Sequence, residues 1–163
     1  MDVILVDVNA DLISIINKKR QYIVKSLNQD GYTNTKIENI KAINLSNDSQ
    51  LNEALLDADL VTTSVGPKFV EGIYERFAKL DNSKEQIFIA FENMYRASSR
   101  ASSTIKSKNQ NLKIIDSVVD KIVPPQSQTS LDVTVETYGS IILDNTSNLQ
   151  PLAPSEVVSY KNY

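Results

Sequence analysis

Apolar and polar positions along this chain fall into short alternating blocks. Val3-Ile4-Leu5-Val6 is a continuous, mostly β-branched run that ends on Asp7, the pattern of a buried parallel strand with a carboxylate at its carboxyl end. Leu12, Ile15 and Ile16 then share one face of a helix over Asp11–Lys19, with Asn9 as its N-cap. Gln21–Leu27 either prolongs that helix or opens a strand. The turn-forming Asn28-Gln29-Asp30-Gly31 after it favours the strand. Lys36–Asn44 reads as extended, and Asp48–Asp57 as a helix capped by Ser46 or Asp48.

The second half has sharper boundaries. Leu60–Val65 predicts a strand running into Gly66-Pro67, where proline suits the first turn of a helix reaching Leu80. Phe69, Val70, Ile73, Phe77 and Leu80 line one side of that helix. Ile87–Phe91 predicts a buried strand, and Met94–Lys106 a weaker, serine-rich helix. Leu112–Ile115 and Val118-Val119 are extended, up to Pro124-Pro125. Leu131–Tyr138 alternates apolar and polar positions, and Ile141–Leu143 is expected to pair with it as a C-terminal β-hairpin. The tail from Asn145 is polar, with two prolines. This order predicts an α/β fold: a Rossmann-type, mostly parallel sheet over residues 1–145, with 146–163 as an irregular linker or tail.

Composition narrows the chemistry. At 163 residues, 41% hydrophobic and 23% charged, the chain has the make-up of a soluble globular domain. A net charge of −3 gives no concentrated basic face for nucleic acid or a membrane surface. No apolar stretch nears the ~18 residues that span a bilayer, and no signal-peptide pattern opens the chain. With no cysteine, disulfides and thiolate chemistry are excluded, and a reducing cytoplasm is the expected setting. With no histidine, imidazole acid–base catalysis and the usual catalytic zinc sites are excluded within these residues.

Three polar groups fall at predicted strand ends, where open α/β sheets bind ligands. Asp7 with Asn9 comes first. Asp7 either holds a cofactor's ribose hydroxyls or caps the helix that follows, and an acid there would repel a 2′-phosphate, favouring NAD over NADP. The turn Thr62-Thr63-Ser64-Val65-Gly66-Pro67 opens a helix and offers backbone N–H groups to a phosphate or ribose. Last come Glu92-Asn93, Asp116-Ser117 and Asp120-Lys121. Asn93 suits a ribose hydroxyl or substrate oxygen, and Asp120 with Lys121 also reads as a surface ion pair.

Five segments, VDVN (6–9), DLVTTSVGP (59–67), IAFENM (89–94), DSVVDKIVPP (116–125) and LDVTVETY (131–138), occur in order. Together they resemble the mannitol-1-phosphate 5-dehydrogenases among the polyol-specific long-chain dehydrogenases, a match from about Val3 to about Asn145. Phe91 stands where the family usually has cysteine, and Lys121 where it has arginine. The resemblance implies metal-free hydride transfer between NAD and a polyol phosphate. It implies Asp7 at the adenosine ribose, Thr63, Val65 and Gly66 along the cofactor, and Asn93 near the nicotinamide ribose. Asp116 would flank the substrate, with Asp120 and Lys121 ordering the adjacent loop.

The family's glycine-rich turn has no counterpart, because Gly31, Gly66, Gly72 and Gly139 cannot make GxGxxG. No lysine matches the family's catalytic base, which lies in a helical C-terminal domain. The expectation is therefore a piece of a cofactor domain, inactive alone. A sheet missing its central strand would also leave exposed edges that invite self-association. Two other readings remain open: a non-catalytic oligomerising or binding remnant, and a haloacid-dehalogenase-like phosphatase built on Asp7. The phosphatase chemistry wants Asp-x-Asp, and the second position here is Asn9.

Overall fold

The computed structural model describes residues 2–121, 123–124 and 130–144. Isoleucine 122, the segment 125–129 and the expected tail 146–163 lie outside the described residues. The chain forms two compact units: Met1–Ala54 with Asp120–Gly139, and Leu55–Val119 with Ser140–Tyr163.

In the first unit, β1 (Val3–Asp7) runs parallel to β4 (Ile40–Asn44), with Asp7 opposite Asn44. Between them lie α1 (Ala10–Lys19) and an antiparallel hairpin of β2 (Gln21–Asn28) and β3 (Gly31–Glu38). The hairpin closes through Asn28, whose Oδ1 accepts the Asp30 N–H, and through Gly31 at φ +128°. The extended stretch expected over Lys36–Asn44 breaks at Asn39, whose φ of +59° turns β3 into β4. The core of this unit is Ile16, Ile40 and Ala42, with Val3, Leu5, Leu12 and Tyr22 packed around it.

In the second unit, α2 (Asp48–Asp57) leads in from the first. Its N-cap is Asn47, whose Oδ1 accepts the Gln50 N–H, in place of the expected Ser46 or Asp48. Three parallel strands follow in the order β5 (Leu60–Thr63), β6 (Gln86–Ala90), β7 (Leu112–Ile115). α3 (Pro67–Ala78) and α4 (Ala97–Thr104) supply the connections. Phe88 is fully buried, edge-on to Tyr74 and stacked on Phe77, and it anchors the core. Gln86, also buried, donates to the carbonyls of Leu55 and Ala58 and accepts from Asn82 and Asn109. That amide satisfies carbonyls left unpaired where α2 ends.

The C-terminal hairpin does not form. β9 (Val133–Glu136) pairs in parallel with β2, and β10 (Ser140–Leu143) pairs with β8 (Ser117–Asp120). The reason lies in the edges each strand finds. The Thr137 N–H continues the β2 ladder onto the Leu27 carbonyl, while the Asp144 N–H bonds the Asp116 carbonyl. Alternation predicted both strands correctly but carries no information about their partners.

Candidate functional site

The carboxyl ends of the parallel strands hold most of the candidate residues. In the first unit, Asp7 Oδ1 accepts the Asn9 N–H at 2.8 Å, and Asn9 Oδ1 accepts the Leu12 N–H at 3.1 Å. Asn9 is thus the N-cap of α1, as its sequence position suggested, and Asp7 holds the capping residue rather than the helix. Oδ2 of Asp7 makes no hydrogen bond among the described residues. The half-buried carboxylate therefore keeps one oxygen for a hydroxyl donor.

The turn from β5 into α3 behaves differently from its sequence reading. Glu92, 8% exposed, directs Oε1 to the Val65 N–H at 2.8 Å and Oε2 to the Gly66 N–H at 3.0 Å. The two amides expected to receive a phosphate or ribose are already taken by a carboxylate of the same chain. Gly66 adopts φ +92°, which favours glycine, and contributes no side-chain cap to α3. Thr63 is 4% exposed, and its hydroxyl has no hydrogen-bond partner among the described residues.

Asn93 follows Glu92 directly. Its side chain is exposed and makes no hydrogen bond among the described residues. At the end of β6, the Ala90 N–H bonds the buried Ser98 hydroxyl at 2.8 Å, and the Ala90 carbonyl accepts from the buried Ser117 hydroxyl at 2.8 Å. These two serines stop the ladder and fix the strand end from which Phe91, Glu92 and Asn93 project.

Asp116 is occupied. Its Oδ1 accepts the Ser99 N–H and its Oδ2 the Ser99 hydroxyl, with Arg96 Nε at 4.0 Å. The expected Asp120–Lys121 ion pair is absent: Asp120 is exposed without a partner among the described residues. Lys121 Nζ instead donates to the carbonyls of Glu136 and Tyr138. A Cβ on Gly139 would lie 2.7 Å from Lys121 Cδ, so glycine leaves room for this crossing. Sequence reasoning missed the clamping role of Glu92 and the serine brackets, because their partners lie 27 and 8 residues away and no local pattern announces them.

No cluster of three or more potential metal-ligating side chains occurs among the described residues, and no helix there is long and apolar enough to cross a membrane. An open polar cleft of about 420 Å³ beside Lys25, Tyr32, Asn34 and Thr134 contains none of the candidate residues.

Residues 1–153 match the family model described as the mannitol dehydrogenase Rossmann domain. The chain belongs to that family. Its similar curated relatives include a mannitol-1-phosphate 5-dehydrogenase of Mycoplasmopsis pulmonis, 32% identical over 92% of this chain and 41% of that protein. Another, from Neurospora crassa, carries the same name and is 31% identical over 96% of this chain and 44% of its own length. The chain thus spans about two fifths of the relatives it matches. Among solved structures, it is similar to D-mandelate dehydrogenase, solved with NADH and anilino(oxo)acetate. That likeness has a TM-score of 0.54 at 11% identity, over 91% of this chain and 42% of that one. The 2-dehydropantoate 2-reductase of Geobacter metallireducens gives a TM-score of 0.50 at 16% identity, over 75% and 35%. At these identities the likenesses establish the Rossmann-type α/β fold.

Proposed function

We propose that this chain is part of an NAD-dependent dehydrogenase that interconverts mannitol 1-phosphate and fructose 6-phosphate, supplying cofactor contacts without carrying the complete catalytic apparatus. The match over residues 1–153 to the mannitol dehydrogenase Rossmann domain is the observation that carries this reading. Residues 1–145 would be the cofactor region and 146–163 a tail, in a cytoplasmic protein.

Asp7 would accept hydrogen bonds from the adenosine ribose hydroxyls through its unused oxygen. Its negative charge would disfavour the 2′-phosphate of NADP. Asn93, with a free amide beside the end of β6, would hold a hydroxyl of the nicotinamide ribose. Val65 and Gly66 would meet the cofactor through side-chain surface and backbone other than their engaged N–H groups, with Thr63 buried beneath them in support. Asp116 would flank the substrate while holding α4, and Lys121, with Asp120 exposed beside it, would order its loop through the Glu136 and Tyr138 carbonyls.

These 163 residues contain no GxGxxG turn to receive a pyrophosphate at a helix N-terminus. No lysine among them matches the family's catalytic base, and they contain no histidine to stand in for it. General-base catalysis is typically worth about 10²–10⁴-fold, so turnover without the base would fall by that factor before the missing pyrophosphate turn is counted. The test is to incubate this polypeptide with mannitol 1-phosphate and NAD and follow NADH. The expected result is no turnover above background; sustained NADH formation by these residues would overturn the proposal of inactivity.

A second reading, self-association, has its own support. Among the described residues β1 pairs only with β4, and β5 only with β6. Ile4 and Val6 on β1 are 44% and 38% exposed. Unpaired strand edges of this kind template pairing with another chain. Sedimentation of the purified chain across a concentration series would show dimers or larger species; a monomer throughout would exclude it.

A further inference from the structure

The Glu92 carboxylate occupies a position that a bound anion would take in other chains. Two consecutive N–H groups at the start of a helix converge on its two oxygens, at 2.8 and 3.0 Å, and the residue is buried. Backbone amides in this arrangement, aided by the helix dipole, ordinarily recruit phosphate. Here the negative charge is built in, supplied from the residue after β6 and Phe91, and it takes the Val65 and Gly66 donors that an external anion would need.

Resting on the dinucleotide reading above, we infer that Glu92 is a specificity-determining and positioning residue: it fills the anion-accepting end of the β5–α3 turn, so that this sheet end admits the uncharged ribose side of the cofactor and refuses phosphate. The same two hydrogen bonds fix the Glu92 backbone and with it the neighbouring Asn93, whose amide stays free. A phosphate approaching the turn would have to displace a buried carboxylate and meet its charge. A ribose hydroxyl approaching Asn93 meets neither obstacle. The turn after β5 is therefore a counter-selecting element, whereas its sequence alone suggests a phosphate cradle.

The experiment uses inorganic phosphate as the probe, titrated at constant ionic strength into isotope-labelled chain while the Val65 and Gly66 amide resonances are followed. The wild-type amides should not move. In Glu92→Ala both N–H groups lose their internal anion and should shift saturably, binding phosphate at least about tenfold more tightly than wild type. Glu92→Gln keeps the size of the side chain but removes its charge, and should fall between them; it also serves if the alanine variant melts early. Phosphate shifts in the wild-type chain equal to those of the variants would overturn the inference, as would a folded Glu92→Ala or Glu92→Gln that ignores phosphate. NADH titration read at the Asn9 and Asn93 amides tests the dinucleotide reading separately. Failure there removes the cofactor while leaving the phosphate result to decide the role of Glu92.

Discussion

Asp116 caps a helix through Ser99, accepting its amide at 2.9 Å and its hydroxyl at 2.5 Å. The residue preceding α4, Arg96, adopts φ +53° and offers no side-chain cap, so Asp116 supplies from the end of β7 what the helix lacks locally. A helix of eight residues dominated by serine has little intrinsic stability and depends on such a contact.

Asp116→Ala should therefore lower stability by about 1–2 kcal/mol, the usual worth of an N-cap. Asp116→Asn, which keeps one acceptor, should lose less. Urea denaturation of the two variants checks this; an unchanged midpoint in Asp116→Ala would show that α4 holds without it.

The Ser98 hydroxyl accepts the Ala90 N–H inside the core, where Ser98 is fully buried. Ser98→Ala leaves that donor buried and unpaired, at a cost of about 1–3 kcal/mol. Ser98→Cys, with a weaker acceptor of similar shape, should recover part of the loss. Thermal unfolding monitored by circular dichroism distinguishes the three proteins.

Burial raises the Tyr74 hydroxyl above the ordinary tyrosine range, by desolvation of the phenolate. An acid whose folded pKa is raised stays protonated longer in the folded state. Its contribution is present below the ordinary tyrosine value and is lost as pH climbs through the folded one. Stability should thus fall with alkaline pH more steeply in wild type than in Tyr74→Phe, measured by denaturant midpoints across that window.

Phe88 is fully buried against Tyr74 and Phe77. Phe88→Ala should cost about 3–5 kcal/mol, and Phe88→Leu clearly less, because the cavity is smaller. Hydrogen exchange of β5, β6 and β7 amides would report the loss where it arises.

Much of this was legible in the sequence because it is local. The run Val3–Val6, the cap at Asn9, the Asn28–Gly31 turn and the proline opening α3 are each set by neighbours within a few residues. The family segments were likewise readable as strings. Pairing was less so: β9 and β10 were recognised as strands, yet their partners β2 and β8 depend on which edges the fold leaves open. The same limit explains the site. Val65 and Gly66 look available until Glu92, 27 and 26 residues later, is folded against them. Asp116 looks like a free acid until Ser99 is seen beneath it.

The most direct measurement is an NADH titration of this polypeptide, wild type and Asp7→Asn, read at individual backbone amides. Weak binding is predicted, with a Kd of about millimolar, corresponding to roughly −4 kcal/mol. Shifts should centre on Asn9 and Asn93. Asp7→Asn should weaken binding roughly tenfold, the worth of one charge-assisted hydrogen bond. Micromolar binding would contradict the claim that these residues lack a pyrophosphate cradle. The absence of any shift at Asn9 and Asn93 would contradict the claim that Asp7 and Asn93 contact the cofactor at all.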